Sequence, residues 1–246
     1  MKKVSVTIAD TTQAACELAR AHLSGPVAAH YLAKGTAAAA LLGAEMPEGD
    51  ETLVLQMKCQ GPLGGLVVEC TAAGTLRGYT EKKTLDGFDG MGEPDDDAVL
   101  GRERQIQVTR SAPGRMISQA AAASLGEYLS RSLQRRASIF LEAAVSDESE
   151  VLYARGVLVE ALPDSDIQPP GGLKSAAVSS RGILKRLGLE AAELKESVPL
   201  SFACRCSPER AAGIVAALPE GERAALPETV DITCHMCGRT FKVRTR

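Results

Sequence analysis

The chain has 246 residues, a formal charge of −3, no tryptophan, four phenylalanines and four tyrosines. A mildly acidic chain lacks the global basic field that draws nucleic acid or an anionic membrane, and so few aromatics leave little on which single-stranded bases stack. No apolar run approaches the ~20 residues of a membrane-spanning helix, so the expectation is a soluble protein with one sizeable core built from Ala, Leu and Val, plus something smaller.

Residues 1–8 alternate polar and apolar and read as a strand, not as the uninterrupted apolar core of a signal peptide. That places the chain in the cytoplasm, where thiols stay reduced. Thr11 and Thr12 stand where they would cap a helix over residues 13–22. Ser24-Gly25-Pro26 breaks that helix and starts another, rich in alanine, over 27–46. Residues 52–58, 66–70 and 76–80 read as an antiparallel meander, its first reversal made by Gly61-Pro62-Leu63-Gly64-Gly65.

Residues 85–100, with several glycines and the run Glu93-Pro94-Asp95-Asp96-Asp97, read as a solvated loop; the spaced carboxylates of a calcium site are missing. A strand is expected over 105–109, then a helix over 119–135 from the spacing of Ala122, Leu125, Leu129 and Leu133. Arg131, Arg135 and Arg136 suit the negative end of that helix, which is a simpler role than contact with nucleic acid. Residues 139–145 and 151–162 form a final hairpin. Residues 1–163 thus read as an α/β unit with a mostly antiparallel sheet and packed helices, an α+β architecture overall.

The run from Asp164 to Gly172 has linker composition, and an amphipathic helix is expected over 173–188, so 164–200 is a partly helical linker. Residues 201–246 hold four of the seven cysteines, as Cys204-Arg205-Cys206 and Cys234-His235-Met236-Cys237. Two close pairs of thiols at this separation have the spacing to surround one tetrahedral Zn²⁺, one ion per chain. Gly238 supplies the positive-φ turn that wraps a backbone around a metal. Four thiolates around Zn²⁺ would leave a net charge of about −2 on the cluster, which Arg205, Arg210, Arg239, Lys242, Arg244 and Arg246 are near enough in sequence to offset. Ser207 and Pro208 open a helix running to about residue 218, and a strand follows Gly238.

No phosphate-binding glycine loop or nucleophile elbow is present, and no enzyme is indicated. His22 and His30 read as packing residues, and Cys16, Cys59 and Cys70 as small buried hydrophobes. A module this small buries too little apolar surface to stand without its metal.

Phe202-Ala203-Cys204-Arg205-Cys206-Ser207-Pro208-Glu209-Arg210 and Thr233-Cys234-His235-Met236-Cys237 resemble the heat shock protein 33 family of redox-regulated chaperones. Gly61-Pro62-Leu63-Gly64-Gly65-Leu66, Arg77-Gly78-Tyr79, Val108-Thr109-Arg110 and 156–163 support the resemblance, which spans nearly the whole chain in order. It implies an ATP-independent holdase, inactive when reduced and zinc-bound. Oxidation would form the disulfides Cys204–Cys206 and Cys234–Cys237, release zinc, unfold the linker and favour a homodimer that captures unfolding clients. The competing reading from the residues is a zinc-ribbon module for protein or nucleic-acid interaction, based on the basic tail from Arg239; nucleic acid is disfavoured by the overall charge. A dithiol oxidoreductase would need a helix starting at Cys234.

Overall fold

The computed structural model describes residues 4–47, 49–90, 92–162, 182, 184, 185, 188 and 199–245. The linker helix expected over 173–188 lies almost wholly outside them. The element around which the rest is built is the alanine-rich helix α2, Pro26–Gly43, entered with Pro26 in its first turn. It is apolar on all sides, and fifteen of its residues are buried, as expected of a helix enclosed by other elements. One face meets β8 (Val151–Ala161) and β7 (Ala137–Val145), and the other meets β2 (Thr52–Cys59), β3 (Gly65–Thr71) and β4 (Thr75–Thr80).

Two sheets therefore share one helix. The smaller runs β1-β8-β7, with β1 (Val4–Asp10) paired antiparallel to β8 from Val4↔Ala161 to Asp10↔Arg155. The larger runs β6-β5-β2-β3-β4-β9, with β5 at Arg104–Ala112, β6 at Arg115–Ala122 and β9 at Ser201–Phe202. Every pairing in these two sheets is antiparallel except β4 with β9. Small residues allow the layers to close: a Cβ on Gly156 of β8 would sit 2.7 Å from Leu41 of α2. The α+β architecture and the expected meander are both present.

Three expectations are corrected. Helix α1, Thr12–His22, is not capped by the Thr11 side chain. Thr11 Oγ1 instead bonds Thr36 Oγ1 (2.9 Å) in the core, and Thr12 N–H and Oγ1–H donate to Asp10. Residues 119–122 belong to strand β6, not to a helix, paired with β5 from Thr109↔Gln119 to Ile106↔Ala122. Alanine favours helix locally, but pairing with a formed sheet edge outweighs a few tenths of a kcal/mol of propensity per residue. After β6 the chain makes one short helical turn, Leu125–Glu127 (α4), and a π-turn, Tyr128–Ser132, which buries Tyr128 and Leu129. Arg135 ends not at a helix dipole but in ion pairs with Glu45 and Glu160.

The acidic stretch is likewise more than a solvated loop. Asp89 accepts N–H bonds from Val27 (3.0 Å) and Leu85 (2.8 Å), tying the loop to the start of α2. Asp95 caps a short helix, α3 (Asp96–Leu100), whose Val99 and Leu100 are buried, and Asp96 accepts the Tyr31 hydroxyl proton at 2.8 Å. Among the described residues no helix is long and apolar enough to cross a membrane.

Beyond Pro199 come β9, α5 (Pro208–Ala216), α6 (Glu220–Ala224) and the hairpin of β10 (Thr229–Thr233) and β11 (Thr240–Arg244). Ser207 caps α5 by accepting from Arg210 N–H, as its sequence predicts. The hairpin and α5 enclose a small core of their own, Ala211, Val215 and Val243, with Leu226, Val230, Ile232 and Phe241 around it.

Candidate metal centre

The four clustered cysteines come from two backbone corners. Cys204 and Cys206 lie between β9 and the cap of α5, where the chain leaves the large sheet. Cys234 and Cys237 form the turn joining β10 to β11. There Cys234 O accepts N–H bonds from Cys237 (3.4 Å) and Gly238 (2.8 Å), and Cys234 N–H donates to Arg239 O (2.9 Å). Gly238 has φ +70°, the left-handed backbone that its position in the motif predicts. A strand, not a helix, follows the second pair, so the turn lacks the helix N-terminus that lowers a thiol pKa in dithiol oxidoreductases.

The corners bring the four Sγ atoms within 4.8 Å of one another. Cys204 Sγ and Cys234 Sγ are 3.8 Å apart, and Cys206 Sγ and Cys237 Sγ 3.4 Å. Four sulfurs each roughly 2.3 Å from a central Zn²⁺ form a tetrahedron with edges of about 3.8 Å, so the donor set has the size of the ion. Cys237 is buried and the other three are half-buried.

The sulfurs cannot all ionise side by side without a cation. Burial, followed by contact with the other sulfurs, drives the Cys237 thiol upward. Burial pushes Cys204 upward too, but the Cys206 backbone N–H and the Arg77 guanidinium prevail and bring it down to about 7. A divalent cation held by Cys204, Cys206, Cys234 and Cys237 would remove this conflict by keeping all four as thiolates.

Among the described residues, the guanidinium that touches a sulfur of the cluster is not one of the six expected basic residues. It is Arg77 of β4, whose Nη1 lies 3.8 Å from Cys204 Sγ. Arg77 is held by its cross-strand partner Glu69 of β3, through Nε–H to Oε1 (2.8 Å) and Nη2–H to Oε2 (2.7 Å). Arg205 Nη2 donates to the same Oε1 at 2.7 Å. The Glu69 side chain is only 9% exposed, so one buried carboxylate clamps an arginine from each side of the junction.

Further contacts seat the module on the body. Gly78 N–H donates to Met236 O (3.1 Å), His22 Nε2–H donates to Gly78 O (2.8 Å), and the Tyr79 and His235 rings meet edge to face at 5.9 Å. Gly238 lies so close to α1 that a Cβ there would be 2.3 Å from Ala21 O. His22 is therefore a packing residue, as read from the sequence, but one at this junction. Cys16, Cys59 and Cys70 stand apart from the cluster, and burial raises Cys70 to about 12. Glu69 and Arg77 gave no signal as partners of the cysteines; only their apposition in the meander could have paired them.

A mixed α+β fold carrying a compact cluster of four thiols, close enough together to hold a metal ion, defines the class of protein. The family model described as Hsp33 protein matches residues 1–244, and the chain belongs to that family. Its relatives include the 33 kDa chaperonins of Symbiobacterium thermophilum, 30% identical with 94% of this chain and 87% of that one aligned, and of Lacticaseibacillus paracasei, 27% identical with 95% and 88% aligned. The crystal structure of the heat shock protein 33 homolog from Thermotoga maritima superposes with a TM-score of 0.86 at 18% identity, covering 99% of this chain and 91% of that one. That likeness shows the shared fold.

Proposed function

We propose that this chain is an ATP-independent holdase controlled by a zinc thiolate switch. The observation that carries the reading is four thiols within 4.8 Å of one another in a module whose own core has three buried residues. Cys204, Cys206, Cys234 and Cys237 would hold one Zn²⁺, which would contribute roughly 10–16 kcal/mol of apparent binding energy to the folding of that module. The division into a body (1–163), a linker (164–200) and a switch module (201–246) is part of the same proposal, supported by the module's separate core.

Oxidation would act on the ligands. A thiolate attacks peroxide, taking one oxygen as sulfenic acid and releasing hydroxide; its partner thiolate then displaces the second hydroxide and closes a disulfide. The pairing follows the family pattern, Cys204 with Cys206 and Cys234 with Cys237. Each disulfide removes two ligands, so a fully oxidised centre has none left. The module then loses its fold, the linker follows, and uncovered apolar surface binds partly unfolded cytoplasmic proteins, with dimerisation of the oxidised chain. No step of this consumes ATP or turns over a substrate.

The test is metal content and aggregation suppression on one sample before and after peroxide. The expected result is one zinc per chain when reduced, none when oxidised, and suppression of client light scattering only in the second state. Equal suppression by both states refutes the switch.

A further inference from the structure

The outer edge of β4 is hydrogen-bonded along Gly74 to Gly78, yet no complete strand covers it among the described residues. Ser201 N–H donates to Gly74 O, Ala203 N–H to Leu76 O and Gly78 N–H to Met236 O, each at 3.1 Å. His22 Nε2–H completes the set at Gly78 O. The inner side of β4 pairs with β3 from Leu66↔Thr80 to Cys70↔Leu76. Since Gly78 N–H points outward, alternation along the strand turns the amides of Leu76 and Gly78 to the edge and those of Arg77 and Tyr79 to β3. The cover is thus a two-residue parallel strand and one loop carbonyl, both supplied by the cysteine module and its entry, with the His22 side chain of α1 remaining at Gly78 O.

That cover has a pattern of its own. Leu200 and Phe202 both pack against the main core, while Ser201 between them is exposed, the period-2 alternation of a strand on a half-buried site. The backbone bonds would form with any extended chain, and the two apolar sockets take any chain that alternates. Edge strands left bare pair readily with other polypeptides, which is why folded proteins keep them covered.

We propose that the β4 edge, Gly74 to Gly78, is a strand-addition site for extended segments of unfolding polypeptide with apolar residues two apart. Leu200-Ser201-Phe202 and the Met236 carbonyl occupy it as an internal substitute for such a segment. The site opens when the module lets go, so the inference rests on the proposed switch and names the surface that the switch uncovers.

Amide hydrogen exchange on the isotopically labelled full chain tests it in three states: reduced with zinc, oxidised, and oxidised with reduced carboxymethylated α-lactalbumin, a permanently unfolded probe. The Leu76 and Gly78 amides are expected to exchange more than about tenfold faster after oxidation and to slow by about the same factor on adding the probe, while Arg77 and Tyr79 stay protected throughout. If the oxidised chain suppresses aggregation but Leu76 and Gly78 remain fast in the complex, or never open, the edge is not the site and the inference falls alone. If they stay protected and no aggregation is suppressed, the switch itself fails and takes the inference with it. Protection that grows with the chain's own concentration, without probe, assigns the edge to a second copy and overturns the proposal.

Discussion

Replacing Glu69 by alanine tests how the module is seated. Glu69 accepts two hydrogen bonds from Arg77 and one from Arg205, and its side chain is 9% exposed against 16% for Arg77 and 57% for Arg205. Glu69→Ala strands a half-buried guanidinium; removing one member of a fully buried pair costs about 3–5 kcal/mol. Arg77 retains its contact with Cys204 Sγ, which places the expected loss near the lower end, about 3 kcal/mol. Arg205→Ala removes only the exposed arm and costs under about 1 kcal/mol. At roughly 2–4 °C per kcal/mol for a chain of this size, Glu69→Ala lowers the Tm of the reduced protein by about 6–12 °C. Calorimetry on the reduced protein reads both variants. Equal small losses for the two would show that the clamp is a surface ion pair and that the buried geometry does not matter.

Cys234→Ser is expected to abolish zinc retention against a chelator, whereas Cys59→Ser retains it; metal analysis after dialysis decides. Gly238→Ala forces a left-handed alanine, at about 1–2 kcal/mol, and drives its Cβ to 2.3 Å from Ala21 O. Zinc loss to a chromogenic chelator should be faster in this variant with the far-UV spectrum of the body unchanged; an unaltered rate refutes the close seating. His30 is held neutral, down to about 4 from 6.5, first by burial and then by Lys34, against Asp96. The folded form therefore binds fewer protons than the unfolded one between these values, so stability is full above pH 6.5 and falls toward pH 4, by at most about 3 kcal/mol. Urea unfolding at the two ends of that window should show a smaller drop for His30→Gln than for the parent chain.

Much of this architecture is legible because its signals are local. The meander of β2, β3 and β4, the alanine-rich α2 and the Ser207 cap each announce themselves within a few residues, and four thiols in two close pairs admit few arrangements. What the sequence hides is long-range. Glu69 meets Arg205 across most of the chain, and nothing near either residue points to the other. Strand β9 is two residues long and parallel to its neighbour, too short for any periodicity to register. Residues 119–122 read as helix because alanine is a helix former whose strand state exists only where β5 offers an edge. The Asp89 and Asp96 side chains look like solvated charge because the groups they fasten, Val27 N–H and the Tyr31 hydroxyl, belong to a helix far upstream.

The pairing of β1 with β8 sets a condition on how the protein is made. Val4 finds its register partner only at Ala161, and contacts of such sequence separation form late. During synthesis β1 emerges long before β8 exists, and the α2 face that β8 covers stays bare for the same interval. At roughly 5–20 residues per second this lasts several seconds or longer. The newborn chain thus passes through the condition it is proposed to relieve in others, a sheet edge and an apolar helix awaiting cover, and its earliest encounter with aggregation is its own.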